Sequence, residues 1–267
     1  MDYLILYAEF VKVKIMEIAE YRKAFLIGGI AQFVGYGVEF YLLWLMLEHF
    51  GSIHEWESYE VLLLYSFNLF TYALAAFFFF NPVFQLSRMI KDGTFDEVLT
   101  KPLNSLLYLV CRETNSAYFI HMGLAILIMV VALTNLTISL SISAILFLIL
   151  VLIGGALIQG GLMLSIAVSA FWSVENNGLL TILFGKARNF IKYPISIYSE
   201  ALQFLLTFIL PFAFINFFPV QFFLDKNDFT IFHPIFQFLT PAVGLVCITI
   251  AYRLWKIGVN NYQSSGS

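Results

Sequence analysis

Apolar residues run along this chain in long unbroken blocks rather than in alternation. Six blocks, approximately 24–47, 61–80, 115–133, 142–172, 197–224 and 235–255, approach or exceed the roughly 20 residues that a helix needs to cross a bilayer. Continuous apolarity excludes the alternating strands of a membrane β-barrel. The fourth block is long enough to tilt or to project past the membrane. The fifth contains Pro211 and Pro219, which predicts a kink or break near its far end. The opening stretch, MDYLILYAEFVKVKIMEIAEYRK, mixes apolar and charged positions at helical density. It predicts an amphipathic helix over 1–23 lying along the membrane interface before the first crossing. The expected fold class is all-α and polytopic: this interfacial helix, a six-helix transmembrane domain over 24–256, and a tail over 257–267. The closing SSGS reads as a tag remnant.

Composition agrees with the pattern. Of 267 residues, 61% are apolar and only 12% charged, with mean hydropathy +0.87; soluble domains carry about 25% charged residues. A net charge of −3 gives no nucleic-acid signature. Charge also orients the spans. Of the fourteen Lys and Arg residues, all but Lys226 fall at the termini or in the loops after the second and fourth blocks. The opposite side carries Glu48, Glu55, Glu57, Glu60, Asp225 and Asp228. By the positive-inside rule, the termini and longer loops are cytoplasmic. Trp44 and Trp56 then suit the outer interface, and Trp172 and Trp255 the inner one. Charged residues interrupt the first twenty-three positions, so no cleavable signal peptide is expected. Cys111 and Cys247 lack metal-ligand spacing and are expected as free thiols. The sequon NLT at 135–137 is too short a match to carry weight.

Familiar catalytic chemistry is not found. GLLTILFGKA (178–187) has a Gly-Lys pair, but the spacing is wrong for a phosphate-binding loop, and Ala187 stands where a Mg-binding Ser or Thr belongs. There is no H-E-x-x-H or G-x-S-x-G, and the four His are scattered. One ionisable residue lies deep in a block: Glu39, in YGVEFYLL. An unpaired charge at mid-membrane costs about 2.5–3.5 kcal/mol, so Glu39 must face a partner, a cavity or the interface. It is a candidate for a translocation path, and equally for a hydrogen bond between packed helices. Glu175 and Glu200 lie near the cytoplasmic boundary. In the fourth block Gly161, Ser165, Ser169 and Ser173 recur every four residues, with Ala156 and Gly160 beside them. Small side chains let helix backbones approach closely, and packing within the bundle explains them better than a subunit interface.

One polar insert interrupts the oil: IKDGTFDEVLTKPLN, residues 90–104, between the second and third blocks and therefore cytoplasmic. Asp92-Gly93 is a helix stop. Thr94-Phe95-Asp96-Glu97 matches a capping box, Asp96 and Glu97 suit a helix start, Lys101 suits its end, and Pro102 disfavours helix before it. The prediction is a short helix over 95–101 with Phe95, Val98 and Leu99 on one face. So short a helix is marginal in water; it rests on its own membrane domain or the lipid interface, or else docks a cytoplasmic partner.

GTFDEVLTKPLNSLLYLV resembles the Gly-x-hydrophobic-Asp-x-x-Leu-x-x-Pro-Leu segment of ABC-transporter permeases of the type-2 exporter superfamily. The resemblance is to the six-span bacterial subfamily of roughly this length. EYRKAFL entering the first span, EWESYEVLLLY entering the second, and KYPISIY followed by LTFILPFAFINFFPV through the fifth agree in order. The resemblance implies a subunit that moves a substrate across the bacterial cytoplasmic membrane. It carries no ATPase site itself and binds no cofactor directly, since ATP and Mg belong to a separate cytoplasmic ABC ATPase. A second permease copy or paralogue would complete the complex. Residues 94–101 and Pro102 would couple to the ATPase, and Lys186, Arg188 and Lys192 would form a second cytoplasmic contact. The aromatic content is compatible with an amphipathic drug, peptide or lipid as substrate. The reading to be set against this is an ion-coupled carrier or channel that works without ATP, or a non-transporting scaffold.

Overall fold

The second apolar block grows in both directions to become the axis of the fold. A computed structural model describes residues 3–50, 52–53, 55–138, 141–173, 177–226, 228 and 232–263. His54, Glu175 and the SSGS tail lie outside the described residues. Helix α1 (Tyr3–Glu20) gives way at Tyr21 to α2 (Arg22–Phe50). A short hairpin, Ser52–Ile53 paired with Trp56–Glu57, leads into α3 (Ser58–Lys91). Short helices α4 (Phe95–Leu99) and α5 (Ser105–Arg112) precede α6 (Tyr118–Asn135) and α7 (Ile142–Ala167), which ends in a 3-10 turn at Phe171. Next, α8 (Asn177–Leu180) runs on through π turns to Lys186 and 3-10 turns to Lys192. Then come α9 (Glu200–Phe204, extended by π turns to Ile209), a 3-10 turn Pro211–Phe214, α10 (Phe217–Leu224) and α11 (Thr240–Asn261). Five helices are long and apolar enough to cross a membrane, or six if the pair 200–209 and 211–224 counts as one span.

Helix α3 has 34 residues, about 50 Å at 1.5 Å per residue, longer than the ~30 Å hydrocarbon layer. It is therefore too long to lie wholly within the hydrocarbon layer. Pro82 inside α3 removes one backbone donor without ending the helix. The turn around it is clamped from outside: Asn115 N donates to the Phe77 carbonyl at 2.9 Å, and Asn115 Nδ2 to Asn81 Oδ1 at 3.2 Å.

Most of α3 is buried between α6 and α7, and α7 packs on α11 with the two helices running in the same direction. Close backbone approach sets this last contact. A Cβ on Gly244 would lie 2.4 Å from the Gly154 carbonyl oxygen, and one on Gly161 2.8 Å from the Cys247 carbonyl carbon. Gly160 faces the Phe79 ring of α3. Of the expected small-residue positions, Gly160 and Gly161 thus serve packing within the chain. Between α3 and α7, Gln159 Nε2 donates to Thr71 Oγ1 at 2.8 Å, a polar contact inside the apolar core that leaves Gln159 Oε1 without a partner.

The fifth span is broken, as its prolines predict, but at Pro211 in mid-block and not near its far end; its two halves meet at 72°. The first proline is decisive because it follows π turns that have already loosened the helix at Leu205–Ile209. The strip beside α3 is instead filled by residues 177–192. They run from the Phe171 end toward Ile191, whose carbonyl accepts from Asn216 Nδ2, as does that of Leu64 near the start of α3.

Candidate functional site

At the Phe95 end of the bundle, Gly93 takes φ 71°, the left-handed conformation that glycine adopts without strain. The expected turn is therefore present. The expected capping box is not: Thr94 is already helical at φ −71°, ψ −11°, and its hydroxyl donates back to the Met89 carbonyl at 3.4 Å. Gly93 begins the turn itself, its carbonyl accepting from Asp96 N at 3.2 Å, so no cap is left for Thr94 to fill. The helix covers Phe95–Leu99 rather than reaching Lys101, and Thr100 closes it on Asp96 and Glu97.

The apolar stripe splits. Phe95 and Val98 are fully buried, whereas Leu99 is 39% exposed. Phe95 sits among Phe171 at the end of α7 and Trp255 and Tyr262 at the end of α11, with ring centroids 5.4, 5.9 and 5.1 Å away. These residues seat the short helix on its own membrane domain. The opposite face exposes Thr94, Glu97, Leu99, Lys101 and Pro102, with Asp96 half-buried. Glu97 also reaches Arg112 of α5 at 3.5 Å.

Lys186, Arg188 and Lys192 do not form one basic surface. Lys186 is exposed, but Arg188 is buried and Lys192 pairs with Glu39. Each buried cation has found a counterpart on a span: the Arg188 guanidinium lies 3.6 Å from the Tyr72 ring centroid, and Lys192 Nζ meets a Glu39 carboxylate oxygen. The other Glu39 oxygen accepts from Tyr65 Oη at 3.3 Å. Glu39, expected to need a partner, therefore has two. It also faces an open groove of about 550 Å³ lined by Gln32, Tyr36, Glu39, Tyr72, Phe184 and Arg188 among others. Packing partner and path candidate are thus compatible roles for the same carboxylate.

Several contributors escaped the sequence reading. Tyr36, Tyr65 and Tyr72 sit in apolar blocks with nothing to separate them from lipid-facing aromatics. Their signal is spacing alone: Tyr65 and Tyr72 are seven apart on one face of α3, and Tyr36 and Glu39 are three apart on one face of α2. His121 is buried against Tyr36 and Tyr118, with ring centroids 4.3 and 4.9 Å away.

These features define a polytopic α-helical membrane protein with a short helix seated on one end of its bundle and a polar groove beside its central span. The chain belongs to the ABC-2 family transporter proteins, whose family pattern it matches over residues 33–266, and it is a membrane permease component of that family, which lacks a nucleotide-binding domain. No curated protein and no solved structure matches it.

Proposed function

We propose that the chain is the membrane subunit of an ATP-driven exporter, multi-pass in a bacterial cytoplasmic membrane with both termini inside. A second permease, identical or paralogous, and separate ABC ATPase subunits holding ATP and Mg complete the complex. The observation that carries this reading is the family match over 33–266 on a chain whose α4 is seated by Phe95 and Val98 and offers Leu99, Lys101 and Pro102 outward. The clustering of Arg88, Lys91, Lys101, Arg112, Arg253 and Lys256 toward the Phe95 end supports its assignment to the cytoplasm. The ATPase would press on the outer face of α4, and the groove at Glu39 would form part of the substrate path. Movement between inward- and outward-open states would follow. Lys192 and Tyr65 account for the half-buried Glu39 charge, so that carboxylate gives no separate support to an ion-coupled carrier.

Affinity purification of the native complex, with identification of every co-purifying subunit, tests this reading. A Leu99→Asp, Lys101→Glu variant is expected to insert normally and to lose both the ATPase subunit and substrate-stimulated ATP hydrolysis. Unchanged co-purification together with unchanged hydrolysis would sink the coupling assignment.

A further inference from the structure

Two charged side chains line the groove, Glu39 and Arg188, and their account does not balance. Glu39 is committed to Lys192 and to Tyr65, which leaves Arg188 without a carboxylate among the described residues. Arg188 is only 8% exposed. Its guanidinium carbon lies over the Tyr72 ring and the group is beside the Tyr36 hydroxyl, while its Nε–H meets no acceptor. Behind Tyr36, His121 is 3% exposed and neither ring nitrogen has a partner. A cation held at the depth of the spans is costly unless an anion joins it. An aromatic face compensates only part of that cost, and an orphaned guanidinium donor adds to it.

The walls around this charge are apolar. Val38 and Leu42 of α2 and Phe184 line the groove, and the first two are more than half exposed on the outer surface of α2. The groove therefore opens sideways, past apolar side chains, onto the exposed apolar surface of α2. Guanidinium presents a planar fork of donors that matches phosphate or carboxylate oxygens. We propose that this groove binds an amphiphile with one anionic oxygen headgroup, phosphate or carboxylate, which Arg188 anchors while the apolar tail lies along Val38, Leu42 and Phe184. This deepens the proposed path by naming the chemistry it accepts, and it rests on that reading only for the step from binding to transport.

The test is a binding measurement on the purified full chain in phosphatidylcholine nanodiscs, without ATP or ATPase, so that its outcome is separate from that of the coupling assignment. The probes are dodecyl phosphate, dodecanoate and zwitterionic dodecyl phosphocholine. The unmodified chain is expected to bind the two anions in preference to the zwitterion. Arg188→Gln is expected to weaken dodecyl phosphate by about tenfold or more, as for loss of a charge-assisted hydrogen bond. Arg188→Lys should recover part of that loss, and Lys91→Gln, far from the groove, none of it should incur. Discs doped with phosphatidylglycerol separate the sources: competition marks a lipid headgroup as occupant, and its absence marks a free amphiphile, either outcome upholding the site. No preference for anion over zwitterion in the unmodified chain would overturn the proposal whether or not the variants fold. Equal affinity in a folded Arg188→Gln variant would overturn it as well.

Discussion

Phe95 and Leu99 lie one helical turn apart, yet substituting them should have opposite consequences. Phe95 is fully buried in the helix proposed to face the cytoplasm, so water is the reference for exposing it. A Phe side chain buries about 150 Å² or more, which at roughly 25 cal/mol per Å² amounts to about 4 kcal/mol. That figure falls inside the ~3–5 kcal/mol found for Phe→Ala in well-packed cores. Leu99 already exposes 39% of its surface, and a surface substitution there costs about 0.5–1 kcal/mol at most. Phe95→Ala should therefore lower the thermal midpoint of the purified chain clearly, read by fluorescence-detected size exclusion. Leu99→Asp should leave the midpoint in place and remove the ATPase from the purified complex. Equal midpoints for Phe95→Ala and the unmodified chain, or a Leu99→Asp drop as large as that of Phe95→Ala, would refute the orientation of α4.

Two further outcomes follow from contacts elsewhere in the bundle. Gly244→Ala would place a Cβ 2.4 Å from the Gly154 carbonyl and should destabilise by about 1–3 kcal/mol, whereas Gly123→Ala, with nothing within 4 Å, should not; thermal midpoints of the two variants decide. Glu39→Gln and Lys192→Met should each destabilise by about 1–2 kcal/mol, below the value for a fully buried pair because the Glu39 side chain is 38% exposed. The double variant should lose less than the sum, and strict additivity in that cycle would show that the pair is not coupled.

The spans were legible because lipid imposes its requirement on nearly every residue of a crossing helix, and composition alone records it. Gly93 was legible for a similarly local reason, since only its own backbone had to turn. The capping box failed because the same four residues could be satisfied in another way, with Gly93 opening the helix before Thr94. Residues 177–192 were misread for a different reason. Arg188 and Lys192 make the segment look like a cytoplasmic loop, and only the long-range meeting of Lys192 with Glu39 and of Arg188 with Tyr72 makes their place beside α3 tolerable. Charge compensation between distant parts of a chain leaves no periodic trace, so the groove could be assembled only in three dimensions.

The distribution of rigid and soft contacts shows how a push at α4 could be felt at the groove. Helices α3, α7 and α11 are held at backbone distance by Gly154, Gly161 and Gly244, and by Gly160 against Phe79, so they resist sliding past one another. Phe95 rests on the ends of α7 and α11, and force on α4 is delivered to this rigid group as a whole. Helix α2 is joined to the rest mainly at Tyr36, Glu39 and Trp44, and Gly29 is the only residue buried among its described side chains. The facing segment 181–192 is built of π and 3-10 turns, whose hydrogen bonds rearrange at less cost than those of an α-helix. The groove lies on the seam between these two soft elements and the rigid group, where polar partners such as Glu39 and Lys192 can be exchanged without opening the core. A motion driven from α4 is therefore expected to change the separation of α2 and 181–192 before it changes anything else.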